Sequence, residues 1–243
     1  MKGIVLAGGL GTRLSPLTRI TNKHLLPVFD KPMIYYPLQM LVNAGIKDIM
    51  VVTGGNNSGD FLRLLQNGRE FGLNELHYGY QQGEGGIADA LRLAKNFAKN
   101  DKICVVLGDN IIEKNILGPA RAFQRQKKGA KIMLKAVPEP RHYGVPELRG
   151  DRVVGIEEKP RRPKTSFAVV GIYFYDARVF DVIETIKPSR RGELEITDVN
   201  NAYIRRGQMS YDILDGWWAD AGSSIQGLFE ANQFVAQYGA NHA

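Results

Sequence analysis

Gly8-Gly9-Leu10-Gly11-Thr12-Arg13, followed by Lys23, is the densest set of chemically useful residues in the chain. Glycines let a backbone approach a phosphate closely, and consecutive N–H groups can cradle an anion. Arg13 adds a planar fork for phosphate oxygens and Lys23 a mobile ammonium. The run is not a Walker A loop, because no Lys-Ser/Thr pair follows a second glycine block. It also fails the dinucleotide fingerprint: Leu14 stands where the third glycine belongs. Asp30 lies about twenty residues on, where that fingerprint puts a ribose-binding acid, but it sits between Pro27 and Pro32 rather than after a strand. A tight turn with no ligand is the plain alternative.

Two aspartates could hold a cation. Asp109 comes just after the apolar run Ile103–Leu107, and Asp220 is flanked by Ala219, Ala221 and Gly222, which allow close approach. Mg²⁺ takes one or two carboxylates together with phosphate oxygens and water; an N-cap or turn role is the alternative for each. Glu157-Glu158-Lys159-Pro160 sets opposite charges side by side at a strand end. Successive strand residues face opposite ways, so Glu158 and Lys159 can share one place only if the strand bends there. Gln81 carries an amide able to pair with a pyrimidine edge, and Gly86 leaves room for a ring. The four histidines, His24, His77, His142 and His242, form no ligand cluster, and His24 beside Lys23 is expected to pack or hydrogen-bond locally.

The elements that must position these residues follow an α/β rhythm. Strands are predicted over Gly3–Ala7, Asp48–Thr53, Leu76–Tyr80 and Lys102–Leu107. Between them come helices over Met33–Asn43 (closed by Gly45), Asp60–Gln66 (N-capped by Ser58) and Ile87–Ala98. This pattern predicts a doubly wound, mostly parallel, Rossmann-like sheet with ligands at the carboxyl ends of the strands. The later half reads as strands over Ile132–Val137, Arg152–Glu157 and Val169–Tyr175, with helices over Ala177–Thr185 and Thr197–Arg205 and another beginning near Ser224. One domain is expected, its first lobe over about 1–130 on the nucleotide side and its strand-rich second lobe over about 131–243 on the sugar or substrate side, the two sharing the sheet.

Composition narrows the class. In 243 residues, 44% are hydrophobic and 23% charged, ample for a core and unlike a disordered chain. Cys104 is the sole cysteine, which excludes an internal disulfide and any cysteine-based metal site. Lys+Arg 32 against Asp+Glu 25 gives +7, but the basic residues fall in scattered pairs rather than a stripe, so nucleic acid is not the expected partner. No signal peptide or membrane span is visible, and a cytoplasmic protein is expected.

Six motifs occur in order: GGLGTRLSPLT with NKHLLPV, VLGDN at 106–110, HYGV at 142–145, EEKP at 157–160, GELEITDVN at 192–200 and WWADAG at 217–222. Together they resemble the sugar-1-phosphate nucleotidyltransferase family over nearly the whole chain, in the short form that lacks a C-terminal helical extension. The resemblance implies a catalytic set of Arg13, Lys23, Asp109, Lys159 and Asp220, with Mg²⁺ on Asp109 and Asp220. It implies nucleotide contacts from Gly8, Gly9, Gly11, Thr12, Arg13, Lys23, Gln81, Gly86 and Asp109. Asn110, Tyr143, Gly144, Glu158, Lys159 and Val170 are implied around the sugar, although Val170 stands where the family often has threonine. Gln81, Gly85-Gly86-Ile87-Ala88 and GELEITDVN favour the thymidylyl branch, which joins dTTP and glucose 1-phosphate into dTDP-glucose and pyrophosphate. The resemblance further implies a homotetramer serving deoxysugar synthesis, such as rhamnose for surface polysaccharide. Uridylyl or cytidylyl transfer to another sugar phosphate, and a non-catalytic nucleotide-binding module, are the alternatives.

Overall fold

Alternation along the first strand dictates a layer on each side of the sheet. Ile4 and Leu6 face one cluster, with Ala88, Leu91 and Val199, whereas Val5 and Ala7 face another, with Leu38, Leu41, Phe61 and Phe123. A strand buried on both faces belongs in the middle of an α/β sandwich. The computed structural model describes residues 1–55 and 57–242. In chain order its first half holds β1 (Lys2–Ala7), β2 (Pro27–Val28), β3 (Lys31–Pro32), α1 (Tyr35–Asn43), β4 (Asp48–Gly54), α2 (Ser58–Leu65) and β5 (Glu75–Gln81). There follow α3 (Ile87–Arg92), α4 (Lys95–Ala98), β6 (Ile103–Leu107), β7 (Asn110–Ile112) and α5 (Leu117–Arg125). The later half holds β8 (Ala130–Ala136), β9 (Gly144–Arg149), β10 (Arg152–Glu158), β11 (Phe167–Tyr175), α6 (Val179–Ile183), α7 (Ile196–Arg205), β12 (Met209–Ile213), β13 (Trp218–Asp220) and α8 (Ile225–Tyr238).

Nine strands form one sheet along the path β10-β9-β11-β6-β1-β4-β5, with β8 and β12 continuing from β11. The segment β6-β1-β4-β5 is parallel throughout. β11 then runs antiparallel to β6 over Ile172–Tyr175, while farther toward its start Val169 pairs with Gly144 of β9. The sheet therefore forks along one edge of β11, where β6 ends and β9 takes over. Strands from both halves of the chain share this sheet, and no helix among the described residues is long and apolar enough to cross a membrane.

Most expected elements are present, and the departures have local causes. The helix expected over Ile87–Ala98 breaks into α3 and α4, and that over Ala177–Thr185 shortens to α6. Asn57, not Ser58, precedes α2, and it makes no side-chain cap bond. Ser224 does cap α8, its hydroxyl accepting from Gly227 N at 2.9 Å. The unforeseen α5 carries Gly118-Pro119 in its first turn, a pair that reads as a break but is tolerated there because first-turn N–H groups need no helical partner. β7, β9, β12 and β13 were also unforeseen. β7 and β13, three residues each, pair with one another outside the main sheet, and α8 packs over them through Leu228, Ala231 and Val235.

Candidate active site

Strand order β5-β4-β1-β6 creates a switch point between β1 and β6, the place where such sheets bind ligands beyond their strand ends. Gly8 and Gly9 leave β1 there, Gln81 ends β5, and Asp109 follows β6. These residues line a cavity of about 360 Å³, whose facing wall comes from Gly144, Glu158, Lys159, Val169, Gly171 and Thr197. Arg13, Lys23, Gly86, Asn110, Tyr143 and Asp220 line it too. Three of the expected residues do not. Gly11 (φ +64) and Thr12 form the turn behind the loop, where a Cβ on Gly11 would press within 3.1 Å of the Lys23 side chain. Val170 is fully buried in the core on the opposite face from its neighbours Val169 and Gly171, so only its backbone can serve the cavity.

The β7–β13 ribbon brings the two aspartates together. Asp220 pairs with Asn110, and Ala221 N donates to Asp109 O at 2.9 Å. Lys23 Nζ donates to Asp109 Oδ2 at 2.5 Å, joining residues 86 positions apart in a largely buried ion pair. Gly222 faces this pair: a Cβ there would overlap Asp109 Oδ2 and lie 2.8 Å from Lys23 Nζ. Burial alone would raise the Asp109 carboxyl, but the charges of Lys23 and His24 and the bonds from Lys23 and Asn110 hold it below the carboxylate range. Asp220 goes the other way, to about 7, through burial first and the nearby Asp109 charge second. Two carboxylates facing one space, with a single lysine paired to one of them, form a donor set suited to a hard divalent cation.

Asn110 is 2% exposed, and its amide is already engaged. Oδ1 accepts from Gly171 N at 2.9 Å and Trp218 Nε1 at 2.8 Å, while Nδ2 donates to Asp109 Oδ1 at 3.1 Å. Its side chain braces Asp109 and Trp218. A Cβ on Gly171 would lie 2.6 Å from Leu107 and 2.8 Å from that amide, so glycine is required where the sheet forks.

Glu158 and Lys159 reach the same cavity because the backbone bends between them. β10 ends at Glu158, and Lys159 has φ +46, a left-handed conformation rare outside glycine, with its N–H donating to Tyr143 O at 3.0 Å. Thr197 Oγ1 donates to Glu158 Oε2 at 2.7 Å, orienting the carboxylate. Tyr143 in turn packs edge-on against Trp218, ring centroids 5.2 Å apart. Arg191, Thr197 and Trp218 lie in GELEITDVN, in WWADAG or immediately before the first of these, yet nothing in their residue types alone marked them. Arg191 lines the cavity with its guanidinium held by Glu195 at 2.9 and 3.0 Å.

His24 lies beneath the pair formed by Lys23 and Asp109. Asn22 Oδ1 receives His24 N at 3.0 Å and contacts its Nδ1 at 2.8 Å, as expected of a locally bonded histidine. A Cβ on Gly108 would press 2.7 Å from the imidazole, so the ring packs directly against the glycine that follows β6. Burial, then the adjacent Lys23 charge, lowers its pKa to about 3.

Known proteins resemble this chain over nearly its whole length. Residues 2–238 match the nucleotidyl transferase family. A protein of Neisseria meningitidis named glucose-1-phosphate thymidylyltransferase is 46% identical over 97% of this chain and 82% of its own length. One of the same name from Mycolicibacterium smegmatis is 45% identical over the same shares. The crystal structure of a candidate glucose-1-phosphate thymidylyltransferase from Bacillus anthracis, solved with sucrose, superposes with a TM-score of 0.93 at 48% identity, covering 98% of this chain and 96% of that one. A UDP-glucose pyrophosphorylase complexed with UDP-glucose shares the fold at a TM-score of 0.85 and 23% identity, covering 97% and 98%.

The buried imidazole makes stability pH-dependent. The unfolded chain binds a proton at His24 near pH 6.5, and the folded chain only near pH 3. Its contribution is therefore complete above pH 6.5 and declines as pH falls toward 3, with a limiting slope of about 1.4 kcal/mol per unit. Urea unfolding between pH 7 and 5 should show this loss, and His24→Gln should flatten it; an unchanged slope in the variant would contradict the assignment.

Proposed function

The chain belongs to the nucleotidyl transferase family, and from that premise we propose that it is a glucose-1-phosphate thymidylyltransferase, moving dTMP from dTTP to glucose 1-phosphate with release of pyrophosphate. The curated relatives of that name, 41–46% identical over nearly the full chain, support the substrate pair. The observation that carries the chemistry is the convergence on one cavity of Arg13 and Lys23, Lys159 and Arg191, and the carboxylates Asp109 and Asp220.

A sugar phosphate is close to a dianion at neutral pH, since the second pKa of a phosphate monoester is about 6. Its oxygen needs no general base. It attacks the α-phosphorus of dTTP; a new P–O bond forms as the bond to the bridging oxygen breaks, and that electron pair departs with pyrophosphate. The task left to the protein is to bring two anions together and align them. In this reading Gly8, Gly9, Arg13 and Lys23 orient the triphosphate, while Lys159 and Arg191 hold the attacking phosphate. Glu158, steadied by Thr197, accepts from sugar hydroxyls, with Gly144 and the Val170 backbone beside it. Gln81 faces the base next to Gly86. Asp109 and Asp220, with the space left by Gly222, would hold Mg²⁺. That cation, when bound, offsets phosphate charge and helps to fix the triphosphate for in-line displacement. The nucleotide lobe then corresponds to about residues 1–130 and the sugar lobe to 131–243, in a cytoplasmic homotetramer that supplies dTDP-glucose for deoxysugars such as rhamnose.

Mg²⁺-dependent pyrophosphate release should peak at dTTP with glucose 1-phosphate in a grid of five nucleoside triphosphates against glucose, mannose and N-acetylglucosamine 1-phosphates; a peak at another pair would displace the assignment. Lys159→Ala should raise the KM for glucose 1-phosphate about tenfold or more while that for dTTP stays within about twofold. Equal losses for both substrates would move Lys159 out of the sugar-phosphate role. Gly222→Ala should weaken Mn²⁺ binding, followed by electron paramagnetic resonance, and lower kcat on the order of 10²-fold; undiminished cation binding would remove Asp109 and Asp220 from the metal role.

A further inference from the structure

Gln81 has a single available orientation. The amide is 6% exposed, and its Nε2 donates both to Gly86 O at 3.1 Å and to Asp89 Oδ2 at 2.9 Å. Both partners are pure acceptors, so a flipped amide would set Oε1 against a carbonyl and a carboxylate at once. Oε1 is thereby turned toward the loop after β1, 3.0 Å from where a Cβ on Gly8 would stand.

Asp89 is itself held in place. It occupies the first turn of α3, and its Oδ1 accepts from Arg92 Nη2 at 2.7 Å, one turn along. Gly85 leaves the path open, because a Cβ there would overlap Asp89 Oδ2. Gly86, at φ +92, has no room for a side chain either, with Leu194 O 2.7 Å from its Cβ position. The sequence around Gln81 is thus built to pass a carboxylate behind the amide, outside the cavity that the amide faces.

We propose that Asp89 is a positioning residue for pyrimidine choice: it locks the Gln81 amide with Oε1 toward the base, so that the site accepts a ring with a donor at N3. Thymine and uracil have N3–H, whereas cytosine has a lone pair at N3, which an acceptor repels. This rests on the reading above that Gln81 faces the base. A single neutral acceptor on Gln81 would be ambiguous if its amide could rotate. The Asp89 carboxylate, together with Gly86 O, removes that freedom from outside the cavity. Asn at position 89 could donate to a turned Oε1, leaving only Gly86 O to oppose the turn that offers Nε2 to cytosine N3.

The test is the ratio of kcat/KM for dTTP to that for dCTP in the wild type, Asp89→Asn, Gln81→Ala and the double variant. The ratio should fall on the order of tenfold in Asp89→Asn, the worth of one hydrogen bond, with the KM for glucose 1-phosphate unchanged. In the Gln81→Ala background, Asp89→Asn should have no further effect on the ratio. An unchanged ratio in Asp89→Asn, or an equal fall with and without Gln81, would overturn the proposal. Calorimetric binding of dTDP against dCDP gives the same comparison without turnover, should the variant be slow. A wild type that prefers dTTP and glucose 1-phosphate while Asp89→Asn keeps the ratio leaves the function standing and rejects only the role of Asp89. A wild type that uses neither pyrimidine would reject both.

Discussion

The contact between Lys23 and Asp109 organises the site. It joins the loop after β1 to the loop after β6 across the switch point, at 2.5 Å and largely out of water. Burying such a pair costs desolvation of both ions, and an apolar pair of similar size would often be at least as stable. Its value lies in what it keeps charged. With Lys23 beside it, Asp109 stays ionised in a closed environment, and its charge helps to push the pKa of the neighbouring Asp220 upward. The raised pKa of Asp220 shows that a second full negative charge beside Asp109 is resisted as the pocket stands, with Lys23 paired to only one of the two carboxylates.

Everything around that pair acts to keep it in register. His24 packs against Gly108 at the end of β6, the Asn110 amide ties Asp109 to Gly171 and Trp218, and Gly222 leaves the opposite side open. The small β7–β13 ribbon and the helix over it are the means by which a residue near position 220 reaches a strand end near position 109. The other wall uses a different device. There a strand simply continues past its last pairing, and the left-handed turn at Lys159 converts two alternating side chains into two that face the same space.

Part of this was legible in the residues themselves. The glycine loop, the buried apolar strand before Asp109 and the α/β alternation each have a strong local signature, and the parallel segment β6-β1-β4-β5 follows from them. The conflict between Glu158 and Lys159 was also readable, and the required bend is present. Less was visible where a role depends on a distant partner. Three-residue strands such as Asn110–Ile112 and Trp218–Asp220 have no periodicity to detect, and they exist only because each supplies the other's hydrogen bonds. Arg191 looks like any surface arginine until Glu195 orients it, and Val170 looks like a site residue until the strand's alternation turns it inward. Asn110 has polar chemistry suited to a sugar, yet the fold uses its amide internally.

Separating the charge chemistry from the reading of the base has a structural logic. The groups proposed to hold the triphosphate, Gly8, Gly9, Arg13 and Lys23, follow the central strand β1 at the switch point, where β4 and β6 hold the backbone on both sides. Gln81 ends β5, the outer strand of the parallel segment β6-β1-β4-β5, next to a glycine-rich turn and a short helix. A change there alters which hydrogen-bonding edge is presented without moving Lys23, Asp109 or Asp220. If Gln81 faces the base as proposed, nucleotide preference can shift through residues behind it without moving the charged groups at the switch point. In the proposed function the same partition lets a neutral amide suffice at the base, because the charged groups at the switch point are the ones assigned to the triphosphate and the edge strand has only to discriminate.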